Sequence, residues 1–299
     1  MIRFTVFGDL HFDEVEDGNR RVNELVEHIK SVKPDFVISL GDLCKPVDGN
    51  KEIVLDKFMT TGIPMYHTIG NHETDGCYLG TALEFLSLKS AYYSFQYGDI
   101  KFVVLNSCYS SKEGQERAYY KRSYREDNSI YPIIPKDEME WLEKELSDGQ
   151  KHIIFSHHSL VNEFRDRGIH NRTEIKNLFK NKEVLLCMNG HDHGDGFTVV
   201  DNVPYYTVNS ATYVWCGSQI MSSDTLQEKY GHLHGMLLYK QALYIDVEID
   251  DEEIRIKGME GNYLSVTPDD VELYDYKWNG VSIKAQTSSK VISRLKGKM

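Results

Sequence analysis

Five short motifs rich in Asp, Asn and His follow short apolar runs along the chain. They are "GDLH" at 8–11, "GDL" at 41–43, "GNHE" at 70–73, "SHHS" at 156–159 and "GHDHG" at 190–194. Carboxylate and amide oxygens suit hard divalent ions, whereas imidazole suits Zn, Fe, Mn and Ni. A mixed set of this size therefore favours a pair of first-row metal ions over one structural zinc.

Two metal ions close together would give the site hydrolytic chemistry. A single-atom carboxylate bridge holds two like-charged ions about 3.5–4 Å apart, and a hydroxide held between them is nucleophilic near neutral pH. Glycines precede Asp9, Asp42, Asn71 and His191. They let the backbone turn sharply as each strand ends, so that the next side chain enters the pocket.

A second motif, "GHLHG" at 231–235, repeats the spacing of "GHDHG". The first motif follows the buried strand pattern "EVLLCM", so His191 and His193 lie at a carboxyl end with the other clusters. The second precedes the strand pattern "MLLY" and therefore opens an element. We predict that His191 and His193 belong to the site, and that His232 and His234 are loop residues or lie on the pocket rim.

The elements that position these motifs alternate between strands and helices. Apolar runs of four to six residues are typical of strands buried on both faces. They are "IRFTVF", "DFVISL", "PMYHTI", "KFVVL", "HIIF", "EVLLCM" and "VPYYTV". Amphipathic segments around 22–29 and 136–146 predict helices, and "TEIKNLF" predicts a third with Thr173 as its N-cap. The alternation indicates an α/β fold, in which functional groups gather beyond the carboxyl ends of the strands.

The last third of the chain has a different pattern. "ALYIDVEIDDEEIRIKG" alternates apolar and polar residues around an acidic turn, which predicts a hairpin with one wet face. We assign residues 1–261 to one domain. Residues 262–299 are a C-terminal extension that forms edge strands on the same domain or a partly ordered tail.

Composition limits the classes of partner. The 299 residues carry a formal net charge of −12, which repels polyanions and argues against broad nucleic-acid binding. The sequence has no basic-then-apolar leader and no apolar run of about eighteen residues, so we predict a cytoplasmic protein without a membrane span. The oligomeric state stays open. Reduced thiols are expected at the five scattered cysteines, which are Cys44, Cys77, Cys108, Cys187 and Cys216.

The order of the five motifs resembles that of the calcineurin-like metallophosphoesterases over roughly residues 1–215. The resemblance implies a four-layer α/β/β/α sandwich, with two mixed β-sheets flanked by helices and a dinuclear metal centre at the strand ends. The ligands implied for one ion are Asp9, His11 and His193. Those implied for the other ion are Asn71, His157 and His191.

The resemblance also implies roles for two further residues. Asp42 matches the bridging aspartate, and His72 matches a catalytic histidine that contacts the phosphoryl group or protonates the leaving oxygen. His157 and His158 compete for one ligand position, and we favour His157 because the family ligand directly follows the strand. Purple acid phosphatases carry a tyrosine ligand three residues after the bridge, where this chain has Lys45.

The predicted function is that of a metal-dependent phosphohydrolase. Two divalent or trivalent transition-metal ions (Fe, Mn, Zn or Ni) and a bridging hydroxide would cleave monoesters or diesters of small organic phosphates, such as cyclic nucleotides. One alternative is a catalytically silent scaffold of the same fold that binds protein partners. Another is a single-metal hydrolase acting on non-phosphate bonds.

The segment 109–132 contains five tyrosines, and four basic residues without an acid fall within 117–125. In an acidic protein this composition predicts a lid that contacts phosphate and stacks on an aromatic leaving group. The alternative is a solvated surface loop. The substrate contacts predicted from this segment are Arg117, Tyr120, Lys121 and Arg122. Tyr213 and Trp215 either join the same rim or pack in the core.

Overall fold

A computed structural model describes residues 1–127 and 130–294. Its strands are β1 (Ile2–Phe7), β2 (Phe36–Ser39), β3 (Met65–His67), β4 (Tyr93–Tyr97), β5 (Ile100–Val104), β6 (Tyr109–Lys112), β7 (Gln115–Ala118), β8 (Lys151–Ser156), β9 (Glu183–Asn189), β10 (Gly196–Val200), β11 (Val203–Thr207), β12 (Tyr213–Trp215), β13 (Met236–Leu238), β14 (Ile245–Ile249), β15 (Glu253–Lys257), β16 (Lys277–Trp278), β17 (Val281–Ser282) and β18 (Lys290–Ser293).

The helices of the described residues are fewer than the strands. They are α1 (Gly18–Val32), α2 (Asp56–Met59), α3 (Leu79–Phe85), α4 (Lys136–Glu145), α5 (Arg172–Leu178), α6 (Gly217–Ile220) and α7 (Asp224–Tyr230). A π-helical turn over Lys51–Leu55 leads into α2. No helix among the described residues is long and apolar enough to cross a membrane.

Two six-stranded mixed sheets form the centre of the molecule. The first has the order β18-β15-β14-β1-β2-β3, and the second has the order β10-β11-β9-β8-β5-β4. β1, β2 and β3 are parallel neighbours in the first sheet, as are β5, β8, β9 and β11 in the second. The parallel strands of each sheet therefore end at a common edge, where the polar motifs follow.

The inner faces of the two sheets pack on each other through a core of aromatic and aliphatic side chains. Phe4 stacks on Phe36 within the first sheet, and both contact Phe102 of the second sheet edge to face. Val247 and Ile256 of the β14–β15 hairpin join the same buried cluster. The predicted hairpin is thus present, with its apolar face in the core.

Helices cover the outer face of each sheet. Leu25 and Ile29 of α1 pack against Val37 of β2, and α4 and α5 pack against the second sheet through Leu142 and Ile175. The layers follow the order helix, sheet, sheet, helix, which is the predicted four-layer α/β/β/α sandwich. The predicted cap of α5 was wrong, because the helix begins at Arg172 with Asn171 as its N-cap and Thr173 lies inside it.

The chain beyond residue 261 contributes to both the first sheet and a separate apolar cluster. β18 pairs with β15 at the edge of the first sheet. Val271 and Ile283 are buried with Leu237 of β13 and Leu226 of α7. This separate apolar cluster lies next to the "GHDHG" turn, where the backbone of Asp195 forms hydrogen bonds with that of Ser282.

Candidate metal centre

The five polar motifs meet at one edge of the two sheets. Residues 8–11 follow β1, residues 41–43 follow β2, and residues 70–73 follow β3. Residues 157–158 and 190–194 follow β8 and β9 of the second sheet. Side chains from all five motifs line or underlie a cavity of about 210 Å³. The structure therefore brings together residues that are up to 184 positions apart in sequence.

At this edge of the sheets, the left-handed backbone conformation occurs mostly at residues other than glycine. Gly41 has a φ of 96°, as predicted for a turning glycine. The other left-handed residues are candidate ligands, with φ of 53° at both Asp9 and Asp42, 44° at His11, 64° at His191 and 49° at His193. Non-glycine residues rarely adopt this conformation, and such strain is concentrated at functional sites.

Gly70 and Gly190 are needed for close packing of the loops. A Cβ on Gly70 would lie 2.2 Å from Oδ1 of Asp42, and one on Gly190 would lie 2.6 Å from Oδ2 of Asp9. Both distances are too short for any side chain. The glycines therefore let the carboxylates sit directly against the neighbouring loop.

The first cluster contains Asp9, His11 and His193, whose ligand atoms all lie within 4.8 Å of one another. Nε2 of His11 lies 3.1 Å from Nε2 of His193, and Nε2 of His193 lies 3.6 Å from Oδ1 of Asp9. All three side chains are buried. This is the set that the sequence assigns to one metal ion.

The second cluster contains Asn71, His157 and His191. Nε2 of His157 lies 3.0 Å from Oδ1 of Asn71 and 3.1 Å from Nδ1 of His191. These are the three side chains assigned from the sequence to the other ion.

Asp42 lies between the two clusters. Its Oδ2 atom is 3.6 Å from Nε2 of His11 in the first cluster and 3.3 Å from Nε2 of His157 in the second. Its Oδ1 atom accepts a hydrogen bond from the backbone N–H of His72 at 2.8 Å. One oxygen atom of Asp42 therefore lies close to a donor of each cluster, and Asp42 would be the residue shared by two bound ions.

Backbone carbonyl groups fix the protonation of three of these imidazoles. The pairs are His157 Nδ1 with Leu40 O at 2.8 Å, His193 Nδ1 with Tyr213 O at 2.9 Å, and His191 Nε2 with Asp166 O at 2.8 Å. A carbonyl oxygen can only accept, so the ring nitrogen in each pair must carry the proton. When the ring is neutral, its other nitrogen presents a lone pair to the cluster, as a metal ligand must.

The donor set fits two metal ions. Nε2 of His157 lies 3.1 Å from Nδ1 of His191, and when both rings are neutral a cation between these two nitrogens would satisfy both lone pairs. Two donors bound at about 2.0–2.2 Å to one tetrahedral or octahedral ion lie about 2.9–3.6 Å apart. The 3.0 Å between Nε2 of His157 and Oδ1 of Asn71 and the 3.6 Å between Nε2 of His193 and Oδ1 of Asp9 both fall in that range.

Burial and charge set the protonation of the site. Burial lowers the pKa of His191 and of His193 well below the ordinary value, which keeps both rings neutral. Burial and the nearby charge of Asp42 raise the pKa of Asp9 to about 8. Burial opposes ionisation of Asp42 too, but a protonated His157 holds the pKa of that carboxyl well below its usual range. Burial likewise opposes protonation of His157, but the charge of Asp42 raises the pKa of that imidazole to about 9. Binding of a metal ion at Nε2 of His157 would release this second proton. A cation in the site would favour the ionised form of both carboxylates.

Glu73 ties the second and third motifs together. Its carboxylate accepts hydrogen bonds from the backbone N–H groups of Asp42 at 2.9 Å, Leu43 at 2.6 Å and Gly70 at 2.7 Å. The side chain is buried. Glu73 therefore fixes the loop that carries the bridging candidate relative to the loop that carries Asn71.

Comparison with known proteins identifies the family. The family model described as calcineurin-like phosphoesterase matches residues 2–195. The chain belongs to this family. No curated protein sequence matches the chain.

Solved structures with the same fold are distant in sequence. A dimetal phosphatase from Danio rerio is 13% identical, with a TM-score of 0.65 over 98% of this chain and 99% of that chain. The anchor in the inner membrane complex of Plasmodium is 15% identical, with a TM-score of 0.58 over 96% of each chain. A purple acid phosphatase from yellow lupin (Lupinus luteus) seeds is 14% identical, with a TM-score of 0.54 over 85% of this chain and 50% of that chain.

These likenesses establish the fold of this calcineurin-like phosphoesterase, since two mixed sheets flanked by helices are common to the neighbours. Family membership, together with the carboxylate and histidine clusters, supports a metal-dependent phosphoesterase. In the purple acid phosphatase group a tyrosine is expected at the position of Lys45. Here the Lys45 ammonium group lies 3.8 Å from the Glu14 carboxylate.

His72 of this phosphoesterase lines the cavity, and an acidic side chain contacts its Nδ1 atom. Its Nδ1 atom is 2.9 Å from Oδ2 of Asp75. The same oxygen lies 2.9 Å from Nε of Arg122, and Oδ1 of Asp75 accepts from the hydroxyl of Tyr124 at 2.5 Å. Burial opposes protonation of His72, but the charges of Asp42 and Asp75 raise its pKa above the ordinary value. Sequence reasoning missed Asp75, although it stands three residues after His72 on a 3-10 turn.

The four side chains predicted from the lid segment as substrate contacts have partners within the protein. The structure does not place Arg117, Tyr120, Lys121 or Arg122 on the cavity wall. Arg117 binds the Tyr120 hydroxyl at 3.2 Å, and Tyr120 stacks on Tyr78 at the surface. Lys121 lies over the Tyr78 ring, and Arg122 is held by Asp75. Their partners Tyr78, Tyr120 and Asp75 do not line the cavity, and contact of these side chains with substrate stays a prediction.

Other side chains form the cavity mouth. Arg125 lies over the rings of Tyr124 and Trp215, at 5.6 and 5.5 Å from their centroids. Arg167 enters from the loop after β8 and donates from Nη1 to the carbonyl oxygen of His191 at 2.9 Å. Tyr213 lines the same wall. Nothing in the sequence distinguished Arg167 from its neighbours, since its place depends on the path of a loop.

The second "GHLHG" motif lies outside the site. His232 and His234 are exposed at the end of α7, and neither lines the cavity. The pair that lies with the other motifs is His191 and His193, which was predicted from its position after a buried strand.

Proposed function

We propose that the protein is a dinuclear metal-dependent phosphohydrolase that cleaves esters of small organic phosphates. The observation that carries the proposal is the position of Asp42 Oδ2, which lies 3.6 Å and 3.3 Å from the inward nitrogens of His11 and His157. Two donor clusters with imidazole lone pairs turned inward, joined by one carboxylate oxygen, match the requirements of two ions. A single-metal site would leave one cluster of inward lone pairs without a cation.

Asp9, His11 and His193 would hold one ion, and Asn71, His157 and His191 the other, with Asp42 shared. The mixed oxygen and nitrogen donors suit Fe, Mn, Zn or Ni. Two bound ions would supply Lewis-acid polarisation of the phosphoryl group and an activated water. The retained ligand set disfavours the alternative of a silent scaffold.

The chain's own residues would bind the ester and handle the proton. Asp75 occupies Nδ1 of His72, so Nε2 is the atom of that ring left for the substrate. From there His72 would donate to a phosphoryl oxygen or to the leaving oxygen. Arg167 and Arg125 would place positive charge near the non-bridging oxygens, where charge-assisted hydrogen bonds are strong.

The size and lining of the cavity favour a small substrate. A volume of about 210 Å³ is below the roughly 300–1,000 Å³ of pockets for drug-sized ligands. Tyr124 and Trp215 offer aromatic surface on which an aryl leaving group can stack. The proposed substrates are therefore small aryl or alkyl phosphate esters rather than phosphoproteins.

A substrate panel tests this proposal. The chain, stripped of metal and reloaded with Mn, Zn, Fe or Ni, would be assayed on an aryl monoester, a bis-aryl phosphodiester, a cyclic nucleotide and a phosphopeptide. We expect metal-dependent hydrolysis, with the aryl esters preferred over the phosphopeptide. Absence of hydrolysis with every metal would contradict the proposed enzyme and favour the scaffold. Preference for the phosphopeptide would contradict the proposed substrate class.

A further inference from the structure

His158 follows the second cluster directly and faces the same cavity. Its side chain is 3% exposed and lines the cavity wall. Its ring lies 4.1 Å from the ring of His191 and 4.9 Å from that of His157, measured between centroids. Position alone would allow His158 to serve as a further metal ligand, since one of its nitrogens lies within 4.8 Å of the ligand atoms of those two histidines.

The hydroxyl group of Ser107 makes two contacts with His158. It accepts the backbone N–H of His158 at 3.2 Å, and it lies 2.8 Å from Nδ1 of the ring. A hydroxyl has one proton to donate. Within the described part of the chain, Nδ1 of His158 is the acceptor within hydrogen-bonding reach of that proton.

A buried hydroxyl proton without an acceptor costs about 1–3 kcal/mol. Ser107 is buried, so its hydroxyl donates to Nδ1 of His158. An imidazole nitrogen that accepts carries no proton, and the proton of the neutral ring therefore resides on Nε2. This is the reverse of the arrangement at His157 and His193, where a carbonyl oxygen accepts from Nδ1 and the neutral ring therefore has its lone pair on Nε2.

From this contrast we infer that His158 is a substrate-binding residue that donates from Nε2–H to a phosphoryl oxygen of the ester, and that it is not a metal ligand. Ser107 is the positioning residue that sets its tautomer. The inference rests on the proposed phosphoester substrate. An Nε2–H group cannot ligate a metal, but it can donate to the oxygens of a bound phosphate.

The tautomer can be measured directly in the wild-type protein. Long-range ¹H–¹⁵N correlation spectra of ¹⁵N-histidine-labelled protein, metal-free and zinc-loaded, should contain a ring with protonated Nε2 and unprotonated Nδ1 that disappears in His158→Gln. Signals from a ring protonated on Nδ1 alone, lost in the same variant, would overturn the inference.

Inorganic phosphate is the probe for binding. His158→Phe removes the donor and keeps a ring of similar size, and His170→Phe is the control because His170 is exposed and stacks on Tyr131 outside the cavity. Zinc-loaded His158→Phe should keep the wild-type zinc content and bind phosphate about ten-fold or more weakly by calorimetry. Ser107→Ala should weaken phosphate binding to a smaller extent, again without loss of zinc.

Two results would overturn the inference: loss of one zinc ion in His158→Phe, which would make His158 a ligand, or phosphate affinity within two-fold of wild type. If His158→Phe does not fold, the spectra of the wild-type protein and His158→Gln decide. Failure of the proposed function is distinguishable, because a wild type that hydrolyses no ester would still report the tautomer of His158.

Discussion

Three histidines of the site are directed by the carbonyl oxygens behind them. Leu40, Tyr213 and Asp166 each accept from the outer nitrogen of one ring, so the inner nitrogen is free to bind a metal. His158 receives a hydroxyl hydrogen bond at the corresponding place and presents an N–H instead. Two adjacent histidines of the "SHHS" motif thus differ in function because of what lies behind each ring.

Asp42 is the residue on which both candidate ions depend. Asp42→Asn should remove most bound metal and lower kcat/KM by at least about 100-fold, because a neutral amide is a poor bridge. Metal content and hydrolysis of an aryl phosphate would be measured on the same preparation. Asp48→Asn is the control, since Asp48 is exposed on the same loop. Both metals retained with normal turnover would sink the bridging assignment.

The two "GHxHG" motifs provide a matched comparison. Alanine at His191 or His193 should lower the metal content per chain, because each ring supplies an inward lone pair. Alanine at both His232 and His234 should leave the metal content unchanged, because these side chains are exposed away from the cavity. Elemental analysis of the three proteins measures the effect. If alanine at His232 and His234 lowered the metal content and alanine at His191 or His193 did not, the metal would bind at the second motif.

From the sequence, the side chains expected to lie close together were the polar ones that directly follow a strand. Each motif follows a buried apolar run, and strand ends meet in an α/β fold. The sequence could not show that Asp75 would hold His72 or that Arg167 would reach the cavity, because those contacts depend on turn and loop geometry. It also did not show that Arg117 and Tyr120 would contact each other, and contact of either side chain with substrate stays a prediction.

At the scale of elements, α1 is fastened to the rest of the fold by a buried arginine. The Arg21 side chain is fully buried and binds Asp17 at 2.8 Å, the carbonyl oxygen of Gln241 at 3.0 Å and that of Tyr239. The carbonyls belong to the connection between β13 and β14. Periodicity predicted α1, but a charged residue among its buried positions could not be identified from spacing alone.

Replacing Arg21 should destabilise the fold. Arg21→Met leaves two buried carbonyl groups without their partner, so the free energy of unfolding should fall by about 3 kcal/mol. Arg20→Met is the control, since Arg20 binds the same Asp17 at the surface and its loss should cost less than about 1 kcal/mol. Urea denaturation followed by circular dichroism compares them. Equal effects would contradict the assigned role of Arg21.

The basic residues of the lid segment differ in whether they line the cavity. Arg125→Ala should lower kcat/KM for an aryl phosphate by about ten-fold, or about 1.4 kcal/mol, because Arg125 lines the cavity between two aromatic rings. Arg117→Ala should change it less than two-fold, because Arg117 contacts Tyr120 at the surface. If the two variants behave alike, Arg125 does not contact the substrate.

At the scale of the whole molecule, two sheets deliver ligands to one edge. Asp9 and Asn71 come from the first sheet, and His157 and His191 come from the second. A shared centre therefore fastens the two sheets to each other. Strands buried on both faces were predicted from the apolar runs. Edge strands were one of two expectations for residues 262–299, but the sequence did not specify that β18 would pair with β15.

Metal removal should lower the stability of the entire fold. Ions that bind only the native state stabilise it by about 2.7 kcal/mol at a free concentration 100 times Kd. Chelation should therefore lower the melting temperature by about 5 °C or more, and added Zn or Mn should restore it. Scanning calorimetry measures the shift, and Asp42→Asn should show little response. An unchanged melting temperature in the wild type would argue against ions joining the sheets.

The most direct test of a two-metal centre is the metal content of the full chain, purified without chelator and measured by elemental analysis against protein concentration. The account predicts two first-row transition-metal ions per chain, one for each donor cluster beside Asp42. A content of one ion would contradict the bridging role of Asp42, and a content of none would contradict the metal centre itself.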